Sequence, residues 1–264
     1  MMPLPNRTRV TGFTITEMAI VLVIVALLLG GMLIPLGAQQ DIRADRETQT
    51  RLVEIKEALL GFAAANGRLP CPASSTSGQE APIGGGACTT TSNGVAYGYL
   101  PAATLGITTI DSAGHALDGW NQPIRYAVSA NTLGTTTNPF TTASGMRNAT
   151  MTSIASATLL SVCTSGGVIT SPDTASAACP AANRLTNNAI AAIWSTGKNT
   201  STTGGAGSDE AANPNPNTTV PVDPVFVYHE PAPAAASGGE FDDQVVWMAP
   251  NILFNRLITA GQLP

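Results

Sequence analysis

Charge is scarce in this sequence. Only 11% of its 264 residues are charged, aromatics make up 5%, and lysine occurs only at Lys56 and Lys198. Ala, Thr, Ser, Gly and Asn dominate the second half, a composition unlike that of a cytosolic enzyme of this length. The net charge is −5, and beyond residue 66 the cations Arg68, Arg125, Arg147, Arg184, Lys198 and Arg256 lie far apart. No basic stripe exists to track phosphates, so no nucleic-acid partner is expected. The two histidines, His115 and His229, stand outside any nucleophile motif of the G-x-S-x-G type. Gly84-Gly85-Gly86 lacks the Lys and Ser/Thr of a phosphate loop. The sequence therefore reads as no enzyme and calls for no resident cofactor.

Cysteine is scarce but even in number, at Cys71, Cys88, Cys163 and Cys179, with no CxxC pair and no histidine at metal-ligand spacing. A zinc site is not indicated. The expected arrangement is two disulfides formed in an oxidising compartment. Of three pairings, Cys71 with Cys88 and Cys163 with Cys179 close the shortest loops at the lowest entropic cost; four buried free thiols are the alternative.

What the chain does have is one long apolar run. Met18 to Leu36 follows a segment that carries Arg7 and Arg9 and no acid. About 19 residues of helix rise roughly 28 Å, the hydrocarbon thickness of a bilayer, which predicts a transmembrane stretch over about 18–36. The two arginines hold the start of the chain in the cytoplasm, so the rest is expected to be translocated. Glu17 stands at the lip of this run, where a carboxylate is a functional suspect by default. The bland alternative is an interfacial glutamate.

The segment Gly12-Phe13-Thr14-Ile15-Thr16-Glu17 followed by the apolar run resembles the prepilin leader-peptidase site of type IV pilins and type II secretion pseudopilins. The resemblance implies cleavage between Gly12 and Phe13 by a prepilin peptidase, N-methylation of Phe13 by the same enzyme, and an assembly role for Glu17. In that role its carboxylate neutralises the amine of a neighbouring subunit, since charges buried in a filament core are tolerable only as a pair. The match is strong from Gly12 to near Ala65 and weak beyond. Thr16 departs from the family's usual aliphatic residue.

From Gln39 to Ala65, Leu52, Ile55, Leu59 and Phe62 recur at helical spacing, and Asn66-Gly67 with Pro70 and Pro72 stops the helix. Strands are predicted over Val95–Leu100, Pro123–Ser129 and Phe241–Trp247, with a terminal helix over Asn251–Ala260. Asp118-Gly119-Trp120-Asn121-Gln122 resembles a turn that enters the sheet of several pseudopilins, with Asn121 where those proteins often have Gly. Residues 130–224 form a Thr/Ser/Asn/Gly-rich region, and Gly204–Asn217 reads as exposed.

The expected domains are a leader over 1–12 that is removed, a helix over 13–66 and a globular head over 67–264. The expected fold is α+β and pilin-like, a long N-terminal helix with a transmembrane first half packed on a small antiparallel sheet with decorated loops. Asp242 and Asp243 are calcium candidates, because calcium takes several hard oxygens and some pseudopilins bind it near the C-terminus; a strand-edge role is the alternative. The expected function is a structural subunit, with a minor subunit favoured by the large head, of a type IV pilus or type II secretion pseudopilus. Its partners would be other pilin or pseudopilin subunits, the prepilin peptidase/methyltransferase, and the inner membrane with its assembly platform. The expected location is the bacterial inner membrane, single-pass, with a periplasmic head, and then the pilus. The alternative is a single-pass periplasmic adhesin or ligand-binding protein that never polymerises.

Overall fold

The computed structural model describes residues 12–149, 151–155, 157–199, 208–213 and 223–263. The leader before Gly12 lies outside them. The chain divides into two compact units, one ending at Arg43 and one beginning at Ala44. Helix α1 (Ile15–Asn66) runs through that boundary and stops where Gly67 takes φ +66° and donates its N–H to Ala63 O at 2.8 Å.

The first unit is the early part of α1. Its large apolar side chains stand exposed, from Phe13 at 83% and Ile15 at 90% through Leu22, Val23 and Leu27 to Leu28 at 65%. The expected transmembrane stretch is not found, because among the described residues no helix is long and apolar enough to cross a membrane. The single-pass inner-membrane placement with a periplasmic head falls with it.

The second unit departs from the expected pilin-like architecture as well. Instead of one small antiparallel sheet it holds two. Strands β1 (Thr91–Ser92), β2 (Val95–Tyr99), β3 (Arg125–Ser129), β6 (Ala191–Ser195) and β8 (Gln244–Met248) form an antiparallel sheet in the order β1-β2-β3-β6-β8. A smaller sheet in the order β5-β4-β7 joins β4 (Leu160–Cys163) antiparallel to β5 (Arg184–Ala189) and parallel to β7 (Val225–Val227). The parallel pair needs a long connection between β4 and β7, and the Thr/Ser/Asn-rich region supplies it. Short helices α2 (Ala102–Leu105), α3 (Gly145–Asn148), α4 (Met151–Ala155) and α5 (Ser208–Ala211) decorate the connections, and α6 (Pro250–Thr259) closes the chain.

Alternation along the strands decides the layers, because successive side chains point to opposite faces. Tyr126, Val128, Ile193 and Met248 face one core with Leu52, Ile55, Leu59 and Ala63 of α1 and Leu253 and Leu257 of α6. Val95, Ala127, Ala192, Trp194 and Val245 face the second sheet, where Leu160, Val162 and Phe226 meet them. Both disulfides pair locally, Cys71–Cys88 and Cys163–Cys179, with Cα separations of 5.4 and 5.8 Å. The 118–122 turn ties α1 to the sheet. Asp118 accepts the N–H groups of Trp120 and Gln122 and the hydroxyl of Ser195, while Gly119 N donates to Thr48 Oγ1 at 2.9 Å. A Cβ on Gly119 would lie 2.2 Å from Ala44 O, so the turn reaches the helix only with glycine there. Asn121 takes φ +61°, a conformation asparagine tolerates better than most residues.

Candidate functional site

At the N-terminus the residues form a helix start. Thr14 is the cap: its N–H and hydroxyl donate to Glu17 Oε2 at 2.9 and 2.8 Å, and Glu17 N donates back to Thr14 Oγ1 at 3.2 Å. This reciprocal pair is a capping box, which satisfies donors that the first helical turn leaves open. The bonds from the Thr14 backbone and side chain hold the Glu17 carboxyl below the ordinary glutamate range, outweighing desolvation. Glu17 thus presents an ionised carboxylate, fixed by its own helix, beside exposed Phe13 and Ile15. Both hydrogen bonds go to Oε2.

A second cluster lies at the start of β8. Glu210, Asp242 and Asp243 each bring a carboxylate oxygen within 4.8 Å of the others. Asp242 and Asp243 were read from the sequence; Glu210 was not, because it sits in the Gly204–Asn217 tract expected to be exposed. For 208–213 that expectation is corrected, since Asp209, Glu210 and Asn213 are only 5%, 2% and 1% exposed, while 204–207 and 214–217 lie outside the described residues. The signal that could have found them is the acidic pair Asp209-Glu210 within a tract of small polar residues and proline. Asn213 holds the segment down, accepting Val227 N–H at 2.8 Å and donating to Val227 O and Asp243 Oδ2. Asn199 Nδ2 donates to both oxygens of Glu210, and Asp242 N donates to Glu210 Oε1 at 3.0 Å.

Electrostatics set the cluster apart. Burial, reinforced by the charge of Glu210, pushes the Asp242 carboxyl up to about 7. Burial pushes Asp243 well above its ordinary value, against the bond from Asn213, and the Glu210 and Asp242 charges add to the rise. Asp242 Oδ1 is buried without a hydrogen-bond partner. It lies where a Cβ on Gly197 would come within 2.0 Å, so glycine at φ +62° is what admits it. Three close carboxylates can share protons or hold a hard cation, and calcium fits the all-oxygen donor set with water completing its six to eight ligands. Asp243 also lines a pocket of about 260 Å³ with Asp45, Tyr228, His229, Glu230 and Gln244, a route by which an ion can arrive.

The histidines are built into the structure. His115 is 3% exposed, stacks on Tyr99 at 3.9 Å and meets Asp111 and Ser74 O. His229 stacks on Phe241 at 3.9 Å and reaches Asp209 at 3.2 Å. Ser165 donates to that same Asp209 and not to His229, so the three make no nucleophile–base relay. The chain matches no protein-family model, no curated protein and no solved structure.

Proposed function

We propose that this protein is a structural subunit of a pilin-type filament, trimmed between Gly12 and Phe13 and assembled through the beginning of α1. The observation that carries this reading is the pairing of two features. The Gly12-to-Glu17 motif resembles a prepilin processing site, and the helix it opens exposes apolar side chains from Phe13 to Leu28. A helix hydrophobic on all faces is stable only when buried, and packing against the same segment of neighbouring subunits buries it. Glu17 then serves as counter-charge to the Phe13 amine of an adjoining subunit, an ion pair that desolvation makes obligatory. Two disulfides support a life in an oxidising compartment, where a filament head meets mechanical and proteolytic stress.

The test is mass spectrometry of the mature chain with shearing of filaments from cells. The expected result is an N-methylated chain beginning at Phe13 and recovered with the sheared material. A Gly12→Leu variant should remain full-length and stay out of that fraction. A wild-type chain that keeps its leader and never enters filaments overturns the proposal and favours a non-polymerising adhesin.

A further inference from the structure

Two arginines of the second unit are buried to the same degree and treated in opposite ways. Arg68 is 7% exposed and forks onto Glu80, with both nitrogen–oxygen distances 2.7 Å. Arg125 is 6% exposed and has no carboxylate partner among the described residues. Its guanidinium carbon lies 3.7 Å from the centre of the Tyr99 ring, and among the same residues its buried Nε has no hydrogen-bond partner. Burial pulls this group down to about 10, so it remains a cation at neutral pH.

The surroundings hold Arg125 in place and leave its Nε without an acceptor among the described residues. Tyr99 is its register partner on β2 and Trp194 its register partner on β6, so the three share one row on one face of the sheet. His115 stacks on Tyr99 at 3.9 Å, which leaves the opposite face of the ring to Arg125. A buried N–H that lacks an acceptor, on a cation, is costly unless an acceptor arrives from outside.

We propose that this end of the sheet is a binding site for an oxyanion, taken by the Arg125 guanidinium on its Tyr99 platform. The guanidinium fork matches the paired oxygens of a carboxylate, phosphate or sulfate, and held flat against Tyr99 it loses little freedom on binding. Half-buried Tyr99 would line the approach. The site is built from residues of the second unit and stands whether or not the chain polymerises.

Thermal unfolding of the full chain at constant ionic strength tests this, with chloride replaced stepwise by acetate, phosphate or sulfate. The expected result is a saturable rise in Tm with at least one of them, acetate reporting a carboxylate ligand and the other two a tetrahedral one. Arg125→Met should weaken the apparent affinity at least tenfold and leave the anion-free Tm unchanged or higher, since an unpaired buried cation is removed. That variant also subtracts the general stabilisation sulfate gives any protein. Should it fail to fold, Arg125→Lys takes its place: the ammonium keeps the charge without the fork and should also weaken binding at least tenfold. A Tm flat in all three anions, or a rise that persists undiminished in the arginine variant, overturns the proposal.

Discussion

Thr14 and Glu17 cap each other: the threonine hydroxyl donates to the glutamate carboxylate at 2.8 Å, and the glutamate N–H returns to the same hydroxyl at 3.2 Å. This gives Glu17 a local duty beside the assembly role, and the two can be separated. Gln keeps the capping acceptor and loses the charge, whereas Val loses both. Glu17→Gln should leave leader cleavage and helix content unchanged while sharply reducing incorporation into sheared filaments. Glu17→Val should reduce incorporation equally and also fray the first turn, seen as faster amide exchange over residues 14–18. Equal incorporation of wild type and Glu17→Gln would remove the counter-charge role and leave the capping box.

The carboxylate cluster predicts a pH dependence of definite sign. Asp242 and Asp243 have raised values in the folded chain, as do Asp118 and Asp223, mainly through burial. Their stabilising contribution is complete below the unfolded value near 4 and is lost as pH rises through the folded value, about 7 for Asp242. In chelator, Tm should therefore fall between about pH 5 and about pH 8. Millimolar calcium should restore it most at the upper end, where the carboxylates are ionised, and Asp243→Asn should weaken the restoration. A chelated Tm that climbs toward pH 8 contradicts the assignment.

Glu80 has the opposite sign. Burial alone would raise it, but the bonds from Arg68, Gly84 N–H and Cys71 N–H prevail and hold it below its ordinary value. Its contribution is present above about pH 4 and is lost as pH falls through the lowered value. Glu80→Gln leaves Arg68 buried without its counter-charge and should cost about 3–5 kcal/mol in denaturant unfolding at neutral pH. A loss below about 1 kcal/mol would place this pair among exposed ion pairs in effect.

Each disulfide staples a loop to the body of the second unit, so Cys71→Ser and Cys163→Ser should each free one thiol and cost about 2–5 kcal/mol. Peptide mapping under nonreducing conditions checks the pairing. Any peptide linking Cys71 to Cys163 refutes it.

Local chemistry determined much of this protein from sequence alone. The spacing of Leu52, Ile55 and Leu59 marked the face of α1 that is buried, Asn66-Gly67 marked its end, and β2, β3, β8 and α6 fall where apolar runs and turn residues put them. The disulfide partners followed from loop length. Each of these is a short-range property, settled by neighbours in the chain.

Only the tertiary structure decided the rest, because burial in a folded head depends on residues far apart in sequence. The apolar run promised a membrane span that no helix of the described residues provides. The acidic pair Asp209-Glu210 marked the place, but that Glu210 would be 2% exposed beside Asp242 and Asp243, some thirty residues away, depended on Asn213 and Val227 bringing that segment inside. Arg125 and Arg68 look alike in sequence. Glu80 lies twelve residues from Arg68 and folds onto it, and no carboxylate of the described residues reaches Arg125, so one is a paired ion and the other a buried cation on a tyrosine face.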